Sequence, residues 1–530
     1  MDTLFYNGTI STLDDRGSMS EAVGIENGLI CFVGTNEEAK NFYAKEKIDL
    51  GGKLLLPGFV DGHMHLLSYA FVESSVKLFE CRSVEETIKK TEEYLASNEG
   101  NLKWLYCRGW NEEKFTYKRY PTRQELDNIS LDIPIIFVRV CGHVAVCNTH
   151  ALNKIKTLPA YKELAEEMNL ETGLIKEGAV QLYYSILEKP SQDYVEDLIK
   201  LSMKNLNAEG ITGCQCDDFS SIPGADWELV VNSYRSLQNK NEMTVRVYEQ
   251  CLFERIDGFK EFLDKGYRTG NGGAFFRIGP LKLLQDGSLG AKTAALNQPY
   301  ENSDNMGIAI FSQSELDEII ILAHENNMQV AVHCIGDRAM NMTIDSIKKA
   351  NKKNYKENCR HGIVHAQITD ENILKEMGKN SIIAYIQPVF IDLDMDMVEK
   401  RIGSKRMDKI YAWNSMEKYN IMRIGGSDAP VVSFNVMENI YFAVTRKNIN
   451  GKPDKGWLPE EKITVQEAVK MFTKYPAYSS FSENENGTVE PGKRADFVIL
   501  SENIYQLDPD AIKDVKVNKT VVNGKIVYTS

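Results

Sequence analysis

Eight short apolar runs separated by helical segments, β-rich stretches at both chain ends, and one interval of about 145 residues between the first two apolar runs together predict an α/β protein. The expected architecture is a (β/α)8 TIM barrel over residues 57–486, joined to a small β-sandwich domain formed by both chain ends, residues 1–56 and 487–530. An inserted α/β subdomain at about residues 70–205, after barrel strand 1, accounts for the long interval, which is too long for a single crossover.

The chain ends come first. Residues 4–6, 21–25 and 29–33 read as short strands, the last two joined by the turn Glu26-Asn27-Gly28. They are too few to close a core. Residues 495–500 form another strand pattern, and residues 520–528 a hairpin around Asn523-Gly524. Pairing the two ends buries faces and edges that would otherwise be exposed.

Between the ends, the eight barrel strands are expected at residues 59–63, 211–216, 244–250, 281–284 (with a lead-in at 275–278), 329–333, 362–365, 382–387 and 422–426. Residues 314–327 and 369–380 read as helices, the first with a Ser–Glu capping box at its start. The insert is expected to hold a helix at 84–96, a strand at 135–140 and a helix near 161–168. Long βα insertions sit over the C-terminal face of a barrel, so this one is expected to roof the site. The polar, turn-rich residues 482–487 mark the exit from the barrel.

Composition narrows the function classes. Lys+Arg of 62 against Asp+Glu of 75 gives a net charge of −13, which disfavours nucleic acid or an anionic membrane as partner and favours a small-molecule substrate. The ten cysteines are scattered with no CxxC pair, as in a reducing compartment. There is no basic leader with an apolar core and no run of 18 apolar residues, so a cytoplasmic protein is expected.

Candidate chemistry gathers at strand ends. His63 and His65, two of only eight histidines, end the first barrel strand one residue apart and therefore share a face. His333 and His365 end two further strands, and Asp428 follows another, where barrel catalysis belongs. Lys282 lies inside the apolar run Leu281-Lys282-Leu283-Leu284, where a lone ammonium incurs a large desolvation cost. Singly, each histidine reads as a hydrogen-bonded core residue and Asp428 as a turn former. Together they make a nitrogen and oxygen ligand set suited to zinc or another divalent metal.

The segments PGFVDGHMH, LKLLQDGSLG, VHCIGDRA, VHAQ, GGSDAPV and GTVEPGKRADFVIL resemble, in this order, the motifs of the metal-dependent amidohydrolase superfamily. The DGSLG and HCIGDRA wording is similar to the N-substituted formamide deformylase branch. The resemblance implies one or two divalent metal ions, most simply zinc. His63 and His65 would hold the more buried ion and His333 and His365 the second. Lys282, carboxylated to a carbamate, would bridge them, while Asp428 would ligate the first ion and act as catalytic base. It also allows a homo-oligomer.

The reaction expected is hydrolysis of a non-peptide carbon–nitrogen bond, in an amide, formamide or cyclic amide, by metal-activated hydroxide. Asp428 would take the proton and return it to the departing nitrogen. His143, in VCGHVA, resembles the branch's substrate-side histidine and is expected to orient or polarise the substrate carbonyl; a structural histidine is the alternative. Trp110, Phe115, Tyr300 and Phe390 are expected to line a substrate pocket, with core packing as the alternative. A phosphotriesterase- or lactonase-like hydrolase on the same metal site is a further reading, as is a non-catalytic regulatory or binding protein that retains the barrel.

Overall fold

The computed structural model describes residues 1–98, 102–253 and 255–530, and the chain divides into two compact units. The first comprises Met1–Leu66, Lys200–Phe219 and Tyr234–Ser530; the second comprises Leu67–Ile199 and Ser220–Ser233.

The first unit contains a sheet of eight parallel strands in sequential order: β1 (Phe59–Met64), β2 (Ile211–Cys216), β3 (Arg246–Leu252), β4 (Phe276–Leu284), β5 (Val330–Cys334), β6 (Gly362–His365), β7 (Ile383–Ile386) and β8 (Arg423–Gly425). Four of the eight, β2, β6, β7 and β8, are buried along their whole length, as strands covered on both faces can be. The expected run at 281–284 and its lead-in are one nine-residue strand, β4, continuous through Gly279-Pro280. Past the strand ends the first and last strands are stitched together: Asp428 donates its N–H to the His63 carbonyl at 2.8 Å, and His65 to that of Ala429 at 2.8 Å. Gly62 permits this approach, since a Cβ there would lie 2.3 Å from Ile424 Cγ2 and 2.7 Å from the Gly425 carbonyl.

Helices between strands start where capping chemistry allows. The helix Gln313–Glu325 is capped by Ser312 and Glu315, a capping box that begins two residues before the expected start. Glu371–Lys379 is capped by Asp370, whose side chain accepts from the Ile373 N–H.

Both chain ends meet in this unit. Leu54–Pro57 pairs antiparallel with Phe497–Leu500 inside a six-stranded sheet, and a four-stranded sheet holds Thr3–Tyr6 and Glu46–Asp49. Phe5, Ile10, Val23, Ile25, Leu55, Phe497, Ile499 and Val521 fill the core between them. Arg246, at the start of β3, binds Asp496 at 2.6 Å, which ties the barrel to the returning chain.

The second unit has its own six-stranded mixed sheet, from Val76–Lys77 to Met168–Asn169, and its own apolar core. The helix Val84–Ser97 opens on the Ser83 cap and the strand Ile135–Arg139 is fully paired. The helix expected near 161–168 is shorter, Tyr161–Leu164 with a 3-10 turn to Glu167, because Met168–Asn169 is drawn into the sheet against Leu174–Lys176. Among the described residues no helix is long and apolar enough to cross a membrane.

Candidate metal centre

The barrel brings His63, His65, Lys282, His365 and Asp428 to one place. Asp428 Oδ1 lies 3.3 Å from His63 Nε2 and 3.1 Å from His65 Nε2, and Lys282 Nζ lies 3.4 Å from His63 Nε2. The His63 and His365 rings are 5.8 Å apart, and those of His365 and His333 are 4.4 Å apart. His63, His365 and Asp428 place one donor atom each within 4.8 Å of one another, as do His63, His65 and Asp217. Backbone geometry at these strand ends is strained: His365, Ala366 and Asp428 have φ of 77°, 47° and 63°, a region non-glycine residues enter only when their surroundings impose it.

Which nitrogen of each ring is free is set by the other. His63 Nδ1–H is accepted by Gln250 Oε1 at 2.9 Å, and His365 Nδ1–H by Gln387 Oε1 at 2.7 Å. Asp217 Oδ1 is in close contact with His65 Nδ1. In all three rings Nδ1 is thus spent on an acceptor; in His63 and His365 that leaves the Nε2 lone pair at the common point, while His65 turns its Nε2 to Asp428. His333 is turned the other way: its Nε2–H faces the Gly287 carbonyl at 3.3 Å, which leaves Nδ1 as its donor atom. Metal-binding histidines are held by this kind of hydrogen bond to the far nitrogen, so the side chains present fit a divalent ion.

Electrostatics agree. Burial, helped by Lys282, lowers the pKa of His63; burial pushes His333 down to about 4 and His365 well below the usual range, so all three rings offer lone pairs at neutral pH. Burial opposes charge on His65 as well, but the Asp217 and Asp428 carboxylates outweigh it and lift it to about 10. For Asp428, burial raises and the hydrogen bonds to His63 and His65 lower, and the histidines prevail: it stays ionised, well below the ordinary carboxylate range. Behind it Asp61 accepts the N–H groups of His63 and Ser427, each at 3.1 Å, and so fixes the end of β1 and the Asp428 loop together. Asp286, after β4, holds the N–H groups of Ile335, Gly336 and Ala295 at 2.8 to 3.0 Å, which anchors the loop beyond His333.

The structure adds Asp217 to the residues expected from the sequence. Asp217, just past the end of β2, receives Lys282 Nζ on Oδ2 at 2.9 Å while Oδ1 holds His65. The desolvation cost of the buried Lys282 ammonium is offset by this carboxylate, supplied by the chain itself. Asp217 occupies the same strand-end position that singled out His63, His333 and His365, so that rule applied evenly would have found it. Gln250 and Gln387 carry no such signal, because their role depends on which ring nitrogen they face.

The remaining expected residues lie as follows. Tyr300 is buried and its hydroxyl donates to the Ala294 carbonyl at 2.9 Å, a packing and loop-tying role. Phe390 stacks on the His365 ring at 5.9 Å and 12°. Trp110 and Phe115 belong to the core of the second unit, Trp110 donating Nε1–H to the Phe137 carbonyl at 2.8 Å. Both are accounted for by packing, since neither exposes surface for a ligand. His143 is exposed on the second unit with Nδ1 3.1 Å from Glu177 Oε2, and the barrel residues assemble the centre without it.

Comparison with known proteins accords with this geometry. Residues 46–528 match the model of the amidohydrolase family. The chain belongs to the amidohydrolase family. This amidohydrolase is 30% identical to the putative amidohydrolase YtcJ of Bacillus subtilis, over 100% of this chain and 99% of the relative. It is 24% identical to the N-substituted formamide deformylase of Arthrobacter pascens, over 99% and 98% of the two chains. Among solved structures, an uncharacterized metal-dependent hydrolase from Pyrococcus horikoshii shares the fold of this amidohydrolase with a TM-score of 0.81 at 24% identity, covering 96% of this chain and 99% of that one.

Proposed function

We propose that this amidohydrolase cleaves a non-peptide carbon–nitrogen bond, in an amide, formamide or cyclic amide, with Asp428 as the proton carrier. The observation that supports it is the convergence of the His63 and His65 Nε2 atoms on Asp428 Oδ1, with each Nδ1 held from behind. His63, His65 and Asp428, with His333 and His365 beside them, would hold a divalent ion, which would supply the Lewis acidity that polarises a carbonyl oxygen and acidifies water. Zinc suits this nitrogen and oxygen donor set.

Every other part of the work falls to the chain. Asp428 Oδ1 sits at the meeting point of the imidazoles and is kept ionised there, so it can receive a proton from attacking water and hand it to the departing nitrogen. Gln250, Asp217 and Gln387 keep the ring orientations fixed while that proton moves. Phe390 packs nearly parallel to the His365 ring, with centroids 5.9 Å apart. Carboxylation of Lys282 Nζ forms part of this proposal and requires its bond to Asp217 to yield.

The test is a hydrolysis screen across formamides, N-acyl amino acids, cyclic amides and lactones on metal-reconstituted protein. Turnover of one or more of the nitrogen compounds is expected. Turnover confined to esters and lactones would remove the carbon–nitrogen assignment.

A further inference from the structure

The second unit carries a cavity of about 270 Å³ within its own residues. Its walls are aromatic. Phe71 stands between Trp104 and Tyr106, with ring centroids 5.5 and 5.1 Å away, and Tyr194 meets Trp104 edge-on at 6.1 Å. Rings at tilted and edge-on angles are the arrangement into which one more ring packs favourably. A cavity of roughly 150 Å³ accepts benzene, so this one has room for a single ring with a short substituent.

The polar atoms along the walls narrow the ligand further. The Ser74 and Ser75 hydroxyls donate to the Phe71 and Val72 carbonyls, and the Tyr94 hydroxyl donates to the Ser74 carbonyl. Tyr106 differs: its hydroxyl accepts from Tyr184 at 3.2 Å, and its own proton has no acceptor among the described residues although the side chain is only 5% exposed. A buried donor left unspent in a cavity calls for an acceptor. Of the charged residues along the walls, Lys103 and Glu188 are paired with each other at 2.7 Å and Lys189 is paired with Asp226, all of them exposed, so no net charge favours an ionic ligand.

We propose that this cavity binds a neutral, single-ring aromatic molecule bearing a hydrogen-bond acceptor, its ring packed among Phe71, Trp104 and Tyr194 and its acceptor taking the Tyr106 proton. None of these residues belongs to the metal centre, so the inference stands independently of the proposed reaction.

Acetophenone, which has a ring and an acceptor but no hydrolysable bond, is the probe, and cyclohexyl methyl ketone is its aliphatic counterpart. Calorimetric titration of the full chain should show acetophenone binding at one equivalent and the cyclohexyl ketone about fivefold more weakly, the size of an aromatic packing preference. Tyr106→Phe, which keeps the ring, should weaken acetophenone about fivefold through the lost hydrogen bond. Ser191→Trp, at an exposed lining position, should block uptake while the circular dichroism spectrum stays that of the parent, the midpoint falling only by the loss of the Ser191 cap on the Tyr194 N–H. No binding of acetophenone into the millimolar range, equal binding of the two ketones, or undiminished binding to a folded Ser191→Trp protein would each overturn the proposal.

Discussion

Strand β6 ends on one histidine and is directly preceded by another, and the two make opposite use of the same side chain. His365, at its C-terminal end, donates Nδ1–H to Gln387 and leaves Nε2 free toward His63 and Asp428. His361, just before its N-terminal end, accepts the Val330 N–H on Nδ1 at 3.1 Å, so its proton sits on Nε2 and is given to His324 Nδ1 at 3.0 Å. His324 in turn donates Nε2–H to the Asn354 carbonyl at 2.6 Å. With Cys359 Sγ 3.8 Å from His324, this second group has the residue types and spacing of a metal site. It is nevertheless a closed chain of hydrogen bonds: His361 could ligate through Nε2 only by giving up Val330 or becoming an anion. Ligand competence is therefore decided by the partner of the other nitrogen, which composition and proximity do not report.

The comparison can be broken in four ways. The largest effect is expected from Asp428→Asn, which keeps the shape but not the base: turnover should fall by at least about a thousandfold, with the circular dichroism spectrum and the thermal midpoint retained. Turnover within tenfold of the parent would remove Asp428 from the reaction. Next, Asp217→Asn leaves an oxygen on His65 Nδ1 but removes the charge that also balances Lys282. Metal affinity, measured by competition with a chelator, should drop about tenfold, while the corresponding change at the closed pair, His361→Gln, should leave the metal content of the purified protein untouched. Loss of metal in the His361 variant would erase the distinction drawn between the two ends of β6.

Smaller effects concern stability. His324→Ala strips His361 Nε2–H of its acceptor inside the protein and should cost about 1–3 kcal/mol in chemical denaturation, again without loss of metal. The acid limb of the stability curve should also report the closed pair. Burial pushes His361 down to about 3 from the ordinary 6.5, so below pH 6.5 the unfolded chain binds the proton that the folded chain refuses. Stability contributed by the neutral ring is complete above 6.5 and is lost as pH falls toward 3. His361→Gln should flatten that limb relative to the parent between pH 6 and 4; an identical slope in both proteins would show that His361 does not titrate in the unfolding equilibrium.

Much of the fold and of the centre is legible in the sequence. Short apolar runs placed the eight barrel strands to within two residues at most ends, because a strand buried on both faces must be apolar along its length. The gathering of His63, His365 and Asp428 follows from position alone, since side chains at the C-terminal ends of parallel strands point at a shared mouth, and His333 lies beside His365. What escaped were residues whose meaning is relational. Lys282 announced a need for a counter-charge, but the Asp217 that supplies it lies 65 positions away. Trp110 and Phe115 looked like pocket walls because aromatic composition alone does not separate a lining ring from a core ring.

The sequence by itself determined the alternation of strand and helix, the β-rich ends, the position of the insert and the kinds of donor atoms available at the strand ends, since these follow from local periodicity and residue chemistry. Only the tertiary structure decided which imidazole nitrogen faces inward, which carboxylate stands beside Lys282, and why the histidines on β6 differ. Those outcomes depend on hydrogen bonds between segments tens to hundreds of residues apart, such as Gln250 to His63 and Val330 to His361, and a directional bond between distant segments leaves no pattern in either segment alone.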